Sequence, residues 1–214
     1  MRYAALLLAT AALAARAELI DRVIGSAGTD VVTLSEARRY LEYQSVFQNK
    51  DLDLSRQAFR DAVDQLLNQA LIRREIELSR YTPPAMAEAE QRLNEWLADE
   101  ARGARIRKQL AAYGVTEEEL RKRLLWYITV LRFTEYRFSP GVQVRDEEIE
   151  AYYKGTYLPG FRKQSPGVKE PTLEESWAAI QRVLVTQKTT QATDEWLNLA
   201  RQQAAVRIHE EALP

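Results

Sequence analysis

Cysteine is absent from this chain, and histidine occurs once, at His209. Zinc sites, iron–sulfur clusters, disulfides and catalysis by cysteine or histidine therefore lose nearly all their usual residues. Glycine (8) and proline (7) are also scarce, which disfavours an all-β fold rich in turns. The two methionines are too few for the adaptable methionine-rich surface that promiscuous binding proteins often use. The composition favours a binding protein over an enzyme, and we expect no metal and no cofactor.

Charge of neither sign dominates. The 214 residues include 30 lysines and arginines and 31 acidic residues, for a formal net charge of −1. This balance gives no general electrostatic reason to bind nucleic acid, which is therefore not expected as a partner. Hydrophobic residues make up 46% and charged residues 29% of the chain, proportions that indicate a globular rather than a disordered protein.

The first residues follow the pattern of an export signal. Met1 and Arg2 precede a short apolar run over residues 4–14, and Ala15-Arg16-Ala17 places small residues where a signal peptidase reads the chain. We expect a signal peptide at 1–17 and a periplasmic mature protein. A buried N-terminal helix is the alternative interpretation. The apolar run is too short to cross a bilayer, and no later stretch approaches the length of a membrane span.

Helical signals dominate the rest of the chain. Three Thr-x-x-Glu sequences, beginning at Thr33, Thr116 and Thr172, have the form of a capping box. In a capping box the two side chains satisfy backbone N–H groups that a helix start leaves free. Together with apolar residues at helical spacing they predict helices over 34–49, 56–79, 85–102, 106–113, 117–138 and 172–203, with an interruption at Gly103 and a short helix opening at Asp146.

Strand signals are confined to the two ends of the mature chain. Residues 19–24 and 30–33 are short apolar runs separated by the turn-forming residues 25–29, which predicts a hairpin. Residues 204–209 indicate a terminal strand. Because an isolated hairpin is only marginally stable in water, we expect this strand to pair with it. The predicted fold class is mostly α, with a multi-helix core and a small antiparallel sheet built from the N-terminal hairpin and the C-terminal strand.

Glycine and proline concentrate between residues 155 and 171, which hold six of the chain's fifteen. This composition predicts a loop or linker. The chain is thereby divided into the signal peptide, an N-terminal helical region at 18–154, a linker at 155–171, and a C-terminal helix and strand at 172–214 that complete the same core domain.

Four segments carry a resemblance to a known family. They are IDRVI with DVVTLSE (20–24 and 30–36), VDQLLNQALI (63–72), VQVRDEEIEAYY (142–153), and WLNLAR with VRI (196–201 and 206–208). In this order and spacing they resemble the SurA family of periplasmic chaperones over nearly the whole mature chain. The resemblance implies a chaperone core that binds unfolded outer-membrane proteins and favours extended segments rich in aromatic residues.

The chain departs from that family at the linker. In the family, a parvulin-type prolyl isomerase domain of roughly a hundred residues stands between the short acidic helix and the long C-terminal helix, where residues 155–171 stand here. Nothing in this sequence resembles the isomerase pocket, and Arg145 replaces the threonine that the family more often has as a cap. The resemblance therefore implies the chaperone core without catalysis.

Aromatic residues are the candidates for peptide binding, because they offer a large contact area at low entropic cost. Neighbouring residues on a helix point about 100° apart, so one residue of each pair at 126–127 and 152–153 can leave the core. Aromatic residues in the predicted loop are less able to pack into the core, so they are also candidates for a contact surface. The alternative is that these side chains fill the junctions between helices. The predicted peptide-binding residues are Trp126, Tyr127, Phe133, Tyr153, Tyr157 and Phe161.

Other polar patterns have simpler interpretations. The acidic runs at 117–119 and 146–148 could be read as metal ligands, but both stand at predicted helix starts, where the helix dipole favours negative charge. His209 could act as a base, although no triad partner is evident and a strand position accounts for it. The basic residues between 102 and 123 fit a solvated helix face, with an acidic partner or a membrane surface as the alternative.

Three functions follow from these patterns. The first is an ATP-independent periplasmic holdase, whose clients are unfolded polypeptides such as outer-membrane proteins. The second is a structural or adaptor protein with one dedicated envelope partner, and the third is a prolyl isomerase, which the missing module disfavours. Because the two ends of the chain are predicted to complete one core, the end of one chain could complete the core of another. A domain-swapped homodimer is therefore a further hypothesis.

Overall fold

A computed structural model describes residues 21–214, so the predicted signal peptide lies outside the described residues. The predicted fold class is confirmed, since the described chain is mostly helical with one small sheet. The helices are α1 Leu34–Phe47, α2 Arg56–Leu78, α3 Met86–Ala98, α4 Glu100–Tyr113, α5 Glu117–Phe138, α6 Asp146–Tyr152, α7 Leu158–Gln164 and α8 Leu173–Gln203. The strands are β1 Val23–Ala27, β2 Asp30–Thr33 and β3 Arg207–Ile208.

The three strands form an antiparallel sheet in the order β2-β1-β3. The predicted pairing of the C-terminal strand with the hairpin is therefore confirmed, although β3 has only two residues. The predicted turn at 25–29 is wrong, because Gly25 belongs to β1 and only Gly28 and Thr29 form the turn. A Cβ on Gly25 would lie 2.5 Å from Val63 Cγ1, so this glycine serves the close approach of α2 to the sheet.

The first of two cores lies between this sheet and α2. Ile24 of β1 and Leu67 of α2 are completely buried in it. The C-terminal residues complete the core from the other end of the chain, since Leu213 is only 5% exposed. The Arg56 guanidinium donates hydrogen bonds to the backbone carbonyls of Glu210 and Leu213 and so attaches the end of the chain to the start of α2.

We predict that Leu213→Ala lowers the free energy of unfolding by about 2–4 kcal/mol, because the substitution leaves a cavity in a packed core. Leu199→Ala is the matched control, since Leu199 on α8 is 60% exposed and its truncation should cost less than about 0.5 kcal/mol. Urea denaturation of both variants measures the difference. Equal stability of the two variants would show that the C-terminal segment does not contribute to the core.

The second core joins the end of α1 to α3, α4 and α5 through buried residues such as Leu93, Ile106 and Leu120. The predicted interruption at Gly103 is wrong in position, because α3 ends and α4 begins at Asp99. Asp99 caps α4 by accepting a hydrogen bond from the Arg102 backbone N–H. Gly103 lies inside α4 and lets it approach the preceding helix, since a Cβ there would lie 2.5 Å from the Leu97 carbonyl oxygen.

We predict that Gly103→Ala destabilises the protein by about 1–3 kcal/mol, because the added methyl group overlaps a backbone atom that has little room to move. Gly160→Ala in α7 serves as the control. Its Cβ would meet no atom within 4 Å, so the better helix propensity of alanine should raise stability by up to about 1 kcal/mol. Thermal unfolding followed by circular dichroism tests both, and a Gly103→Ala variant as stable as the wild type contradicts the packing argument.

The segment predicted as a loop or linker at 155–171 is largely helical. A π-helical turn at Tyr153–Tyr157 joins α6 to α7, and the irregular chain begins only at Ser165. Pro159 is tolerated because it stands in the first turn of α7, next to the widened turn, where a missing N–H costs least. The Arg162–Glu170 ion pair, with 2.7 Å between Nε and Oε1, fastens the remaining loop back onto α7.

Candidate peptide-binding surfaces

The structure separates the six predicted aromatic residues into different environments. Phe133 is fully buried and packs edge-on against the Tyr81 ring, with 5.4 Å between ring centroids. Its prediction as a binding residue is therefore wrong. Phe133 faces inward from α5, and the alternative of a core-filling aromatic describes it.

Trp126 and Tyr127 diverge around α5, as neighbouring helical residues must. Trp126 is half-buried against α2, where its indole N–H donates to Gln69 Oε1 over 2.9 Å and the Arg73 guanidinium lies 5.0 Å from its ring centroid. Tyr127 is 49% exposed and approaches Phe47 of α1, with 6.0 Å between ring centroids. Of the two, Tyr127 offers its ring to solvent and Trp126 joins two helices.

Tyr127 lines a groove between α3 and α5, here called the α3–α5 groove, with a volume of about 440 Å³. Its apolar wall on α5 includes Leu131, which is 52% exposed and lies one turn after Tyr127. Trp96 contributes the opposite wall from α3. Trp96 is not among the residues predicted from the sequence, although its position three residues after the core residue Leu93 places it at the edge of the buried face of α3.

Charged residues surround the apolar walls of this groove. Glu88 on α3 accepts a hydrogen bond of 2.8 Å from Arg132 on α5, so an ion pair bridges the two helices at one end. Arg92 and Glu95 on α3 lie 3.7 Å apart along the rim. An apolar centre inside a rim of paired charges is the usual anatomy of a protein interface.

Tyr153, Tyr157 and Phe161 belong to the helical segment around the π turn and do not line the α3–α5 groove. All three are half-buried. The rings of Tyr153 and Tyr157 stack with 6.1 Å between centroids, and the Tyr153 hydroxyl donates to the Pro171 carbonyl over 2.8 Å. These contacts connect α6 and α7 to the start of α8, so the six residues predicted together do not form one surface.

A second cavity, of about 510 Å³, opens between α1 and α2 beside β2 and is here called the α1–α2 cleft. Arg123 of α5 closes one end, and its guanidinium lies 5.1 Å from the Tyr40 ring and 6.0 Å from the Tyr43 ring. Burial lowers the pKa of Arg123, against the raising effects of Tyr40 and Tyr43, and the nearby Arg73 also lowers it. Burial likewise raises the pKa of the Tyr40 hydroxyl, against the opposing effect of Arg123.

Arg123 belongs to the basic residues predicted to form a solvated helix face, and for Arg123 this prediction is wrong. Its partly buried guanidinium donates to Gln69 Oε1 over 3.0 Å, the same oxygen that accepts from Trp126. The basic residues around it could not reveal this, because Arg123 directly follows the exposed Lys122, which pairs with Glu118 over 2.7 Å. Adjacent residues on a helix point about 100° apart, so one can be partly buried while the other faces solvent.

Within residues 21–214, no group of three or more histidine, cysteine, aspartate or glutamate side chains is arranged to hold a metal ion. None of the described helices is both long enough and apolar enough to span a membrane. Neither a family model nor a curated protein nor a solved structure matches this chain.

Proposed function

We propose that this protein is an ATP-independent holdase that binds unfolded segments rich in aromatic and apolar residues in the α3–α5 groove. The exposed pair Tyr127 and Leu131 is the observation that carries this proposal. Single exposed apolar residues are common on proteins, but two on successive turns beside Trp96 form a continuous apolar wall. The pattern of the N-terminal residues supports a periplasmic location for this activity.

The size of the groove suits weak and reversible binding. A cavity of about 440 Å³ accommodates a few side chains of a client and not a folded domain. Burial of apolar area provides about 25 cal/mol per Å², and the cost of immobilising two partners offsets much of it. A short segment would therefore dissociate quickly, which lets a client be released without nucleotide hydrolysis.

The charged rim sets which segments are favoured. Because Glu88 and Arg132 already form an ion pair, a client gains little by presenting a charge there and more by presenting an aromatic ring to Tyr127 and Trp96. This agrees with the preference that the SurA resemblance implies. The same resemblance supports a role in outer-membrane protein biogenesis without isomerase activity.

An aggregation assay with an unfolded outer-membrane barrel tests the proposal. We expect the purified mature protein to suppress aggregation near equimolar ratio. Leu131→Ser should weaken client binding about tenfold, because the variant loses the burial of roughly one leucine side chain, worth about 1.5 kcal/mol. Tyr127→Ser should act in the same direction.

Leu199→Ser is the matched control, since Leu199 is at least as exposed as Leu131 but lies on α8 and does not line the groove. We expect this variant to retain wild-type suppression. Two results contradict the proposal: equal losses in Leu131→Ser and Leu199→Ser, or no suppression for any unfolded client. The second result, together with tight binding of one folded envelope protein, would instead support the adaptor function.

The domain-swapped homodimer is tested separately by light scattering after size-exclusion chromatography. Exchange of the C-terminal segment would give a dimer whose fraction rises with protein concentration. A monomer at every concentration excludes the exchange.

A further inference from the structure

The α1–α2 cleft is the strongest unassigned feature of the described chain, because it brings together cations, aromatic hydroxyls and a free strand edge. We propose that it binds an extended peptide that carries a carboxylate, with the carboxylate at Arg73 and Arg123 and the peptide backbone along β2. This site is separate from the α3–α5 groove, and its carboxylate selectivity goes beyond the proposed holdase activity.

The two guanidinium groups provide the charge for such a ligand. Within the described residues, neither Arg73 nor Arg123 forms an ion pair with a carboxylate within 4.0 Å. Arg123 is partly buried, and partly buried charges are normally paired. With the exposed Arg73 lining the same cavity, the two cations favour an anion as their ligand. A carboxylate is the planar partner that a guanidinium fork binds through two hydrogen bonds.

The other charged residues that line the cleft are Asp30, Glu36 and Arg39. Glu36 accepts from the Thr33 backbone N–H in the capping box of α1. Arg39 pairs with Glu42, with 2.9 Å between Nη1 and Oε2. Asp30 stands at the outer end of β2.

A neighbouring cavity extends the same cationic end of the cleft. It shares Tyr43, Arg73 and Arg123 with the cleft, and its own charged residues are Glu119 and Lys122. Glu119 accepts from the Thr116 backbone N–H in the capping box of α5, and Lys122 pairs with Glu118. Within the described residues, neither Arg73 nor Arg123 therefore has a carboxylate of this cavity as an ion-pair partner.

The edge of β2 supplies the second half of the site. Ala27 faces Asp30 across the two-residue turn, so the hydrogen bonds alternate and Val31, opposite Ser26, directs its N–H and C=O away from β1. Because β2 is an edge strand, these two groups face the free side of the sheet. Val31 lines the cleft and is 52% exposed, so a peptide strand can pair with it while reaching the arginines.

Fluorescence anisotropy of the purified protein with a labelled acidic peptide measures this binding. The probe is an extended peptide with one glutamate and a free C-terminus. Amidation of its C-terminus and replacement of its glutamate by glutamine, separately and together, show which carboxylate the site takes. We expect one of the single changes to weaken binding about tenfold and added salt to weaken it further. Equal affinity for the acidic peptide and the doubly neutral peptide overturns the proposal.

Arg73→Gln is the main variant, because Arg73 is exposed and its loss should not disturb folding. We expect it to weaken binding of the acidic peptide about tenfold and to leave the neutral peptide unaffected. Arg74→Gln is the matched control, since it removes the same charge from the adjacent exposed residue, which does not line the cleft. Equal losses in the two variants would show only a general electrostatic attraction and overturn the site.

Val31→Pro tests the strand edge, because proline removes the outward N–H and is tolerated on edge strands. We expect it to weaken binding several-fold, whereas Val31→Thr, which keeps the N–H, should bind as the wild type does. Inorganic phosphate is the competitor that distinguishes a simple anion site. Phosphate binding as tight as that of the peptide, unaffected by Val31→Pro, overturns the peptide assignment.

Discussion

The pairing of β1 with β3 is the constraint on which the rest of the fold depends. The His209 backbone N–H donates to the Ile24 carbonyl, and the Gly28 N–H donates to the Ala204 carbonyl, so both ends of the described chain meet in one sheet. A hairpin of this size has too little to bury by itself. Since the partner strand arrives about 180 residues later, the chain must close a long loop before this core exists, which makes slow folding the expected behaviour.

Helix α2 connects the closed sheet to the other helices. Val63 and Leu67 face the sheet, where Gly25 lets the backbone of β1 come close. Asp64 and Asn68, each one residue further along, both accept hydrogen bonds of 2.6 Å from Arg201 of α8. Gln69 then accepts from Trp126 and Arg123 of α5. Within two turns α2 contacts the sheet, α8 and α5, so the position of the candidate surfaces is set by the same helix that completes the core.

Local signals were sufficient for the parts of the fold that depend on local chemistry. The three capping boxes begin α1, α5 and α8 at the predicted threonines, because the threonine and the glutamate of each box satisfy neighbouring backbone groups without help from the rest of the chain. The glycine and proline content of residues 155–171 is also a local signal, but it predicted a loop where the chain is helical up to Gln164.

Tertiary contacts decided the places where sequence interpretation failed. From the sequence, Gly25 suggests a turn and Gly103 suggests a helix break. In the structure, each glycine instead permits a close contact between elements, Gly25 with Val63 and Gly103 with the Leu97 carbonyl. The candidate site shows the same division. The helical period indicated that Trp126 and Tyr127 diverge, but only the packing of α2 and α3 on either side of α5 shows which ring remains exposed.

The divergence along α5 gives the two candidate surfaces different chemistry. Tyr127 and Leu131 present an apolar face towards α3, while Arg123 and Trp126 present a cationic and aromatic face towards α2. In the proposed function, adjacent residues on one helix would serve two sites that a single long peptide could occupy in turn. Two weak sites on one rigid element raise the effective concentration of a tethered segment. If both proposals hold, a long unfolded chain would be retained more strongly than a short peptide, while each contact would stay weak enough for quick release.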